Sequence, residues 1–290
     1  MADEALAGSR LVFAVRDNGI GADVSGIDLR TRLTADEVAQ ISAAIARYRV
    51  LFFHDQKIDT AQQIAIGRQF GELEIHQLAR KGRGRAIQPD PRWPELVVVE
   101  STPDNPAVAE VWHSDVSFRA MPSLGSLLRM THKPHSGGDT LWADMAAAYE
   151  GLDDRTRHLV DDAVAIHDWP GFRRDWPQDP ESLAELAALQ AEFPPVEHPV
   201  IRTHPVTGER LIYVNAPFTM RIKGMSEGES QRTLAHLFVQ ADNPDYHVRL
   251  RWEPGDIAFW DNRGTQHSVS NDVVGHRRLE RVTIIGDRPF

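Results

Sequence analysis

Three short stretches of this chain carry side chains that could act together on a metal ion and an anion. The first is Val111-Trp112-His113-Ser114-Asp115-Val116-Ser117-Phe118. In an extended segment, residues i and i+2 point the same way, so His113 and Asp115 would offer one nitrogen and one oxygen to the same ion. A distant second histidine would complete a two-histidine, one-carboxylate face. That face leaves coordination positions open for substrates, as non-haem Fe(II) oxygenases require. The motif alone is weak. With 13 histidines and about 25 aspartates, about one His-x-Asp is expected by chance, and the chain holds one. The plain alternative is a histidine hydrogen-bonded to a carboxylate in a turn.

The second stretch is Trp260-Asp261-Asn262-Arg263-Gly264-Thr265-Gln266-His267-Ser268. A strand ends there in a tight polar turn, and His267 is the natural third ligand; its alternative is a surface-loop histidine. The third is Gly275-His276-Arg277-Arg278-Leu279-Glu280-Arg281-Val282-Thr283-Ile284. In a regular strand Arg277 and Arg281 share a face, with Cα atoms roughly 13 Å apart. One guanidinium could clamp the carboxylate of a cosubstrate and the other a second anion, because the planar fork binds such groups bidentately. Taken alone, an exposed strand with three solvated arginines is the favoured explanation.

The elements that must position these residues are partly legible. Thr34 with Glu37 reads as a capping box before apolar Val38, Ile41, Ile45 and Tyr48 at helical spacing. Thr60 with Gln63 predicts a second helix running towards Phe70, and Ser226 with Glu229 a third carrying Leu234, Leu237 and Phe238. Further helices are expected at Asp144–Leu152, Asp153–Val164 and Glu181–Glu192. Strand-length runs rich in β-branched and aromatic residues are Val50–Phe53, Leu96–Val99, Leu124–Met130, Pro199–Thr203, Leu211–Val214, Val248–Trp252, Ile257–Trp260 and Val282–Ile285. Gln88–Pro94 and Thr102–Pro106 read as loops. Several strands follow one another without an intervening helix, which predicts a mixed sheet or β-sandwich decorated by helices rather than a doubly wound sheet.

Composition narrows the chemistry. The chain has 290 residues, 41% of them hydrophobic and 26% charged, with a formal net charge of −10. That is enough apolar chain for a large core, and the acidic balance disfavours non-specific binding to nucleic acid or acidic membranes. There is no cysteine, so thiolate metal sites, iron–sulfur clusters and cysteine nucleophiles are excluded. The start, MADEALAGSR, lacks the regions of a signal peptide, and no apolar run approaches about 20 residues, so a cytoplasmic location is expected.

Taken together, these residues resemble the taurine/2-oxoglutarate dioxygenase family, which includes alkylsulfatases and aryloxyalkanoate-degrading enzymes. The resemblance runs over nearly the whole chain. Its landmarks are Phe70-Gly71-Glu72-Leu73 with His76, Trp112-His113-Ser114-Asp115, and Gly137-Gly138-Asp139-Thr140-Leu141-Trp142. Arg202-Thr203-His204-Pro205, Val214-Asn215 with Phe218, the Trp260–His267 turn and Arg281 to Pro289 follow. It implies one domain over residues 1–290, mixed α/β with an all-β core: a double-stranded β-helix, or jelly roll, with external helices. It also implies an Fe(II) enzyme that consumes 2-oxoglutarate and O₂, releases succinate and CO₂, and hydroxylates a small organic anion. Where the hydroxylated carbon carries sulfur or oxygen, the product fragments to an aldehyde and sulfite, sulfate or a phenol.

Residue by residue, the resemblance implies that His113, Asp115 and His267 bind Fe(II) and that Thr140 and Arg277 hold the distal carboxylate of 2-oxoglutarate. His76, the backbone at Val116, and Arg281 would receive the anionic group of the substrate. Phe218 would add an apolar wall, with Trp169 or Phe172. The loop between His267 and Arg277 is about one residue shorter than in typical members, which makes Arg278 the rival of Arg277; counting four back from Arg281 selects Arg277. Taurine-cleaving members hold the substrate amine through a tyrosine and an asparagine at the positions of Ala79 and Ala109. An ammonium would lack partners there, so an alkylsulfonate or alkyl sulfate with a larger apolar tail is expected, and taurine less so.

An aryloxyalkanoate dioxygenase and a biosynthetic hydroxylase of an amino-acid-like compound are the alternatives within the class. A non-redox metal hydrolase using the same ligands, and a binding protein that has lost catalysis, are more remote. The run Arg80-Lys81-Gly82-Arg83-Gly84-Arg85 is a solvated loop or a cationic lid over the site. A homodimer or homotetramer is implied by relatives alone.

Overall fold

The structure, a computed structural model, describes residues 11–75, 87–90, 92–104, 111–169 and 178–290, with the backbone alone at 87–90. His76, Ala79, Ala109, Phe172 and the basic run 80–85 lie outside the described residues.

Sixteen strands are present among those residues. They are β1 (Val12–Val15), β2 (Ala22–Ser25), β3 (Val50–Phe53), β4 (Ile87–Asp90), β5 (Trp93–Ser101), β6 (Ser123–His132), β7 (Thr140–Asp144) and β8 (Val164–His167). They continue with β9 (Val196–Pro199), β10 (Ile201–Thr203), β11 (Arg210–Ile212), β12 (Thr219–Ile222), β13 (His247–Leu250), β14 (Ile257–Asp261), β15 (Thr265–Val269) and β16 (Arg277–Ile285). The α-helices are α1 (Ala35–Tyr48), α2 (Thr60–Gly67), α3 (Met145–Glu150), α4 (Asp154–Val160), α5 (Pro180–Glu192) and α6 (Glu227–Phe238).

An eight-stranded sheet runs in the order β1-β2-β3-β14-β6-β16-β5-β4, antiparallel except for the β2–β3 pair. A three-stranded sheet, β13-β7-β15, carries Trp142 at its centre. The indole of Trp142 packs against Phe52 and Trp260 of the large sheet, at 5.6 and 5.8 Å between rings. One apolar layer therefore lies between these sheets. A second lies on the other face of the large sheet, beneath α1 and α2. Strand β14 shows how two layers share one strand: Ile257 and Phe259 enter the helical layer, Ala258 and Trp260 the layer between sheets.

Local sequence explains the helix starts. Thr34 and Glu37 form the predicted capping box of α1, whose Ile41, Ala44 and Ile45 are buried. Ser226 and Glu229 do the same for α6. For α2 the box is one residue earlier than expected, made by Asp59 and Gln62. Gln63 is freed from capping and buried, and its amide donates to the Leu127 and Glu280 carbonyls at 3.1 and 2.8 Å. The helix expected over Asp153–Val164 stops at Val160, because Val164 begins β8, which is paired on both sides by β9 and β12. The loop expected over Gln88–Pro94 is mostly strand, with Gln88 to Asp90 in β4 and Trp93 and Pro94 in β5. Strands β1, β2, β7, β12 and β15 have no counterpart among the predicted runs.

Candidate active site

The rim of the site is made where the loop after Val111 meets β15. His113 and His267 form a reciprocal backbone bridge, His113 N to His267 O at 3.1 Å and His267 N to His113 O at 2.8 Å. Their rings lie 4.1 Å apart. Asp115 reaches the same point from a turn, not from the extended segment that the His-x-Asp spacing suggested. One ligand atom from each of His113, Asp115 and His267 lies within 4.8 Å of the others, the one such group of three among the described residues.

The turn is held by a residue that sequence reasoning passed over. The side-chain Oδ1 of Asn262 accepts from Asp115 N and Trp260 Nε1 at 3.3 and 3.0 Å, and its amide donates to Asp115 Oδ2 at 3.4 Å. Ser114 Oγ donates to the Asn262 carbonyl at 2.8 Å. Asn262 is two residues past Trp260, in the polar turn already singled out for His267, and that adjacency is the signal that could have found it. Beyond it, Asp261 is fully buried and bound by Arg263 Nη2 at 2.6 Å and His204 Nε2 at 3.1 Å. His204 Nδ1 accepts the Val206 and Thr207 amides, so His204 carries its proton on Nε2 and donates it to Asp261. The Arg202–Pro205 landmark thus buttresses the metal turn.

Charge states follow from burial and neighbours. Burial pushes His113 and His267 below the ordinary imidazole range. His113 Nδ1 faces the Val111 carbonyl at 2.8 Å and so carries the proton, leaving Nε2 bare, 4.0 Å from Asp115 Oδ1. Burial alone would raise the Asp115 carboxyl. The Arg281 charge, with the Ser126 hydroxyl, outweighs it and holds Asp115 below the usual carboxylate range. His267 Nδ1 is buried without a hydrogen-bond partner. Two neutral imidazoles, one carboxylate and an orphaned ring nitrogen are what a divalent transition-metal ion satisfies. The residues fit Fe(II).

Strand β16 carries the arginines, and its alternation sorts them. Arg277 and Arg281 are buried on the inner face; Arg278 lies on the opposite face, on Glu280 at 2.7 Å and Thr131 at 3.2 Å. Arg277 Nε donates to the Gly138 carbonyl at 3.1 Å, and Nη2 approaches Thr140 Oγ1 at 3.5 Å. Thr140 pairs across β7–β15 with Val269, two residues from His267. Thr140 Oγ1 accepts from Trp252 Nε1 at 2.9 Å, so its own proton is available to a ligand. Among the described residues no carboxylate lies within 4.0 Å of the Arg277 guanidinium, and burial lowers it to about 10 against the pull of Asp139. A buried cation with no carboxylate in direct contact suits an incoming anion, and a dicarboxylate end fits it.

Arg281 behaves differently. Its Nη1 donates to Asp115 Oδ1 at 2.8 Å, while its Nε is buried without a partner. Next to it the backbone of Val116 is in the left-handed region, φ 49°. Val116 and Phe118 form an apolar cluster with Leu189, against which Trp169 and Phe218 pack. Phe118 stacks on Trp169 at 5.2 Å and meets Phe218 at the same distance.

Known proteins resemble this chain over nearly its whole length. The family model described as Taurine catabolism dioxygenase TauD, TfdA family matches residues 11–283. An α-ketoglutarate-dependent sulfate ester dioxygenase of Pseudomonas putida is 35% identical over 277 residues, 93% of this chain and 88% of its own. An α-ketoglutarate-dependent 2,4-dichlorophenoxyacetate dioxygenase of Cupriavidus pinatubonensis is 30% identical over 280 residues, 92% of this chain and 94% of its own. A crystal structure of a taurine dioxygenase from Burkholderia xenovorans superposes with a TM-score of 0.78 at 33% identity, covering 97% of this chain and 93% of that one. The chain belongs to the TauD/TfdA family and is a 2-oxoglutarate-dependent dioxygenase.

Proposed function

We propose that this enzyme oxidises an alkyl sulfate or alkylsulfonate with an apolar tail, using Fe(II), 2-oxoglutarate and O₂. The observation that carries the reading is Arg281. Its guanidinium is tied to Asp115 at one nitrogen and leaves a buried N–H without a partner beside the metal group. That N–H suits the oxygen of a substrate anion. The 35% identity to a sulfate ester dioxygenase favours the same substrate class here.

In this reading His113, Asp115 and His267 hold the iron. Thr140 and Arg277 hold the distal carboxylate of 2-oxoglutarate; Arg278 faces away from Thr140. When bound, iron and 2-oxoglutarate supply O₂-dependent oxidation of a substrate C–H bond with release of succinate and CO₂. The chain's own side chains orient the reactants. Arg281, the Val116 backbone and His76 receive the anionic group, and Phe118, Trp169 and Phe218 line the side that takes the tail and excludes water from it. The two facing sheets, β13-β7-β15 and the eight-stranded sheet, are read as the double-stranded β-helix of a single domain over residues 1–290. No described helix is long and apolar enough to cross a membrane, and a cytoplasmic enzyme acting on a small dissolved anion is the corresponding proposal.

The test is succinate formation with Fe(II) against taurine, alkylsulfonates, alkyl sulfates and aryloxyalkanoates. Stimulation by alkyl sulfates with sulfate release, and a poor response to taurine, is expected. Strongest stimulation by taurine or by an aryloxyalkanoate would overturn the substrate reading while leaving the enzyme class in place.

A further inference from the structure

Beneath the apolar wall lies a buried polar cluster that neither metal nor cosubstrate explains. His167, the last residue of β8, is fully buried and takes no part in the metal group. Its Nδ1 lies 3.1 Å from Ser117 Oγ, and Asn215 Nδ2 lies 2.9 Å from the same oxygen. An amide NH₂ can only donate, so Ser117 Oγ accepts from Asn215 and makes its second contact with His167 Nδ1. The other ring nitrogen of His167, Nε2, faces Thr219 Oγ1 at 3.5 Å. That oxygen also accepts the backbone N–H of Asn215 at 3.0 Å.

Each member of this knot adjoins part of the wall. Ser117 sits between Val116 and Phe118. His167 precedes Asp168 and Trp169, and Asp168 N donates to the Phe218 carbonyl at 2.9 Å. Asn215 and Thr219 bracket the turn bearing Phe218. A second histidine props the same loop. His198, across from Ala165 in the β8–β9 pair, donates through Nε2 to the Arg119 carbonyl at 2.8 Å. The two imidazoles are 5.1 Å apart. Burial pushes them down to about 3 and about 4, so both are neutral at ordinary pH and serve as geometry rather than as proton carriers. The loop they hold includes Val116 in its left-handed conformation, which a β-branched residue keeps only when its surroundings impose it.

We propose that His167 is a positioning residue for substrate selectivity: through Ser117, Asn215 and Thr219 it locks the three segments bearing Phe118, Trp169 and Phe218 into one wall. The inference rests on the reading that this wall takes the apolar tail of the substrate. Ser117→Ala and His167→Gln test it, each checked for thermal unfolding. Two measurements are made on both. Hydrogen exchange needs no substrate: peptides covering 114–119, 165–169 and 215–219 are expected to speed up together at least fivefold, with β14 and β15 unchanged. Faster exchange confined to the mutated segment would overturn the knot. The kcat/KM profile is then measured across tail lengths of whichever class the wild type oxidises. It is expected to flatten, with the substrate KM rising about tenfold and the 2-oxoglutarate KM within twofold. An equal loss at every length, or an unchanged profile, would overturn the selectivity role. If the wild type ignores alkyl sulfates and sulfonates yet the three segments loosen together, the substrate reading fails and the knot stands.

Discussion

The side chain of Arg277 passes over the backbone of Gly138 so closely that a Cβ on that glycine would lie 2.9 Å from Arg277 Cδ and 3.0 Å from its Nε. Gly138 also has φ +75°, a conformation that costs an L side chain about 1–2 kcal/mol. Gly138→Ala is therefore expected to displace the guanidinium from Thr140 and raise the 2-oxoglutarate KM about tenfold or more. Arg277→Ala should raise it by about 100-fold, the scale of a lost charged hydrogen-bond pair. Arg278→Ala should leave it within about twofold, since that side chain lies on Glu280 and Thr131. Steady-state kinetics in 2-oxoglutarate decide it; the reverse order of the two arginines would refute the assignment.

Asn262 grips Asp115 at both its backbone and its carboxylate. Asn262→Ala keeps all three ligands but unclamps one of them. Its affinity for a divalent probe such as Co(II) should fall about 10–100-fold, the usual cost of losing support to a ligand. Titration calorimetry measures this directly. An unchanged affinity would mean that the turn holds Asp115 without Asn262. His267→Ala should abolish binding.

Arg281 holds Asp115, and in the proposed reading it also receives the substrate anion. Arg281→Ala leaves the Asp115 carboxylate without its main cationic partner, so loss of both metal affinity and substrate affinity is expected. Arg281→Lys keeps the charge and loses the fork. It should restore metal binding to within about fivefold while the substrate KM stays raised by about tenfold or more. Equal recovery of both would argue that the substrate anion binds elsewhere.

Acid sensitivity follows from His167. Burial holds its folded pKa at about 3, against 6.5 when unfolded. Between those values the unfolded chain binds the proton and the folded chain does not, so stability rises with pH and is lost on acidification below about 6.5. From pH 7 to pH 5 one such histidine accounts for about 2 kcal/mol. Urea unfolding of His167→Gln should show a shallower fall over this window than the wild type. The same slope in both would show that the buried imidazole does not govern it.

Much of this was legible in the chain because the signals were local. Val50–Phe53 and Ile257–Trp260 are runs of β-branched and aromatic residues, and they are the adjacent strands β3 and β14. The boxes at Thr34 and Ser226 read correctly because both partners lie three residues apart. The fault at α2 arose because Asp59 competes with Thr60 for the same cap, and only the backbone decides between them. Strands β7 and β15 were illegible for a different reason. Thr140-Leu141-Trp142-Ala143-Asp144 and Thr265-Gln266-His267-Ser268-Val269 spend polar residues on the site, which erases the alternation that marks a strand. The gathering of His113, Asp115 and His267 was reached by motif, yet the geometry behind it differs: a bridge and a turn, not one extended segment. Asn262, Ser117 and Asn215 stand inside the stretches singled out, but their parts could not be read there, and His167 lies in none of them, since their meaning lies in contacts between residues distant in the chain.

Strand β16 has one property that reaches beyond any single contact. Its hydrogen-bond ladders to β5 and β6 set which residues face inward, irrespective of how many residues precede it. The connection from His267 is thus free to lengthen or shorten over evolutionary time, because the ladder resets the count before Arg277 is reached. An insertion of one residue within the strand would be another matter. Placed between Arg278 and Arg281, it would turn Arg278 inward and Arg277 outward while the pairing beyond it keeps Arg281 in place, so the proposed cosubstrate grip would be lost without the proposed substrate grip. Sequence drift in this enzyme should therefore gather in the loop and spare the strand.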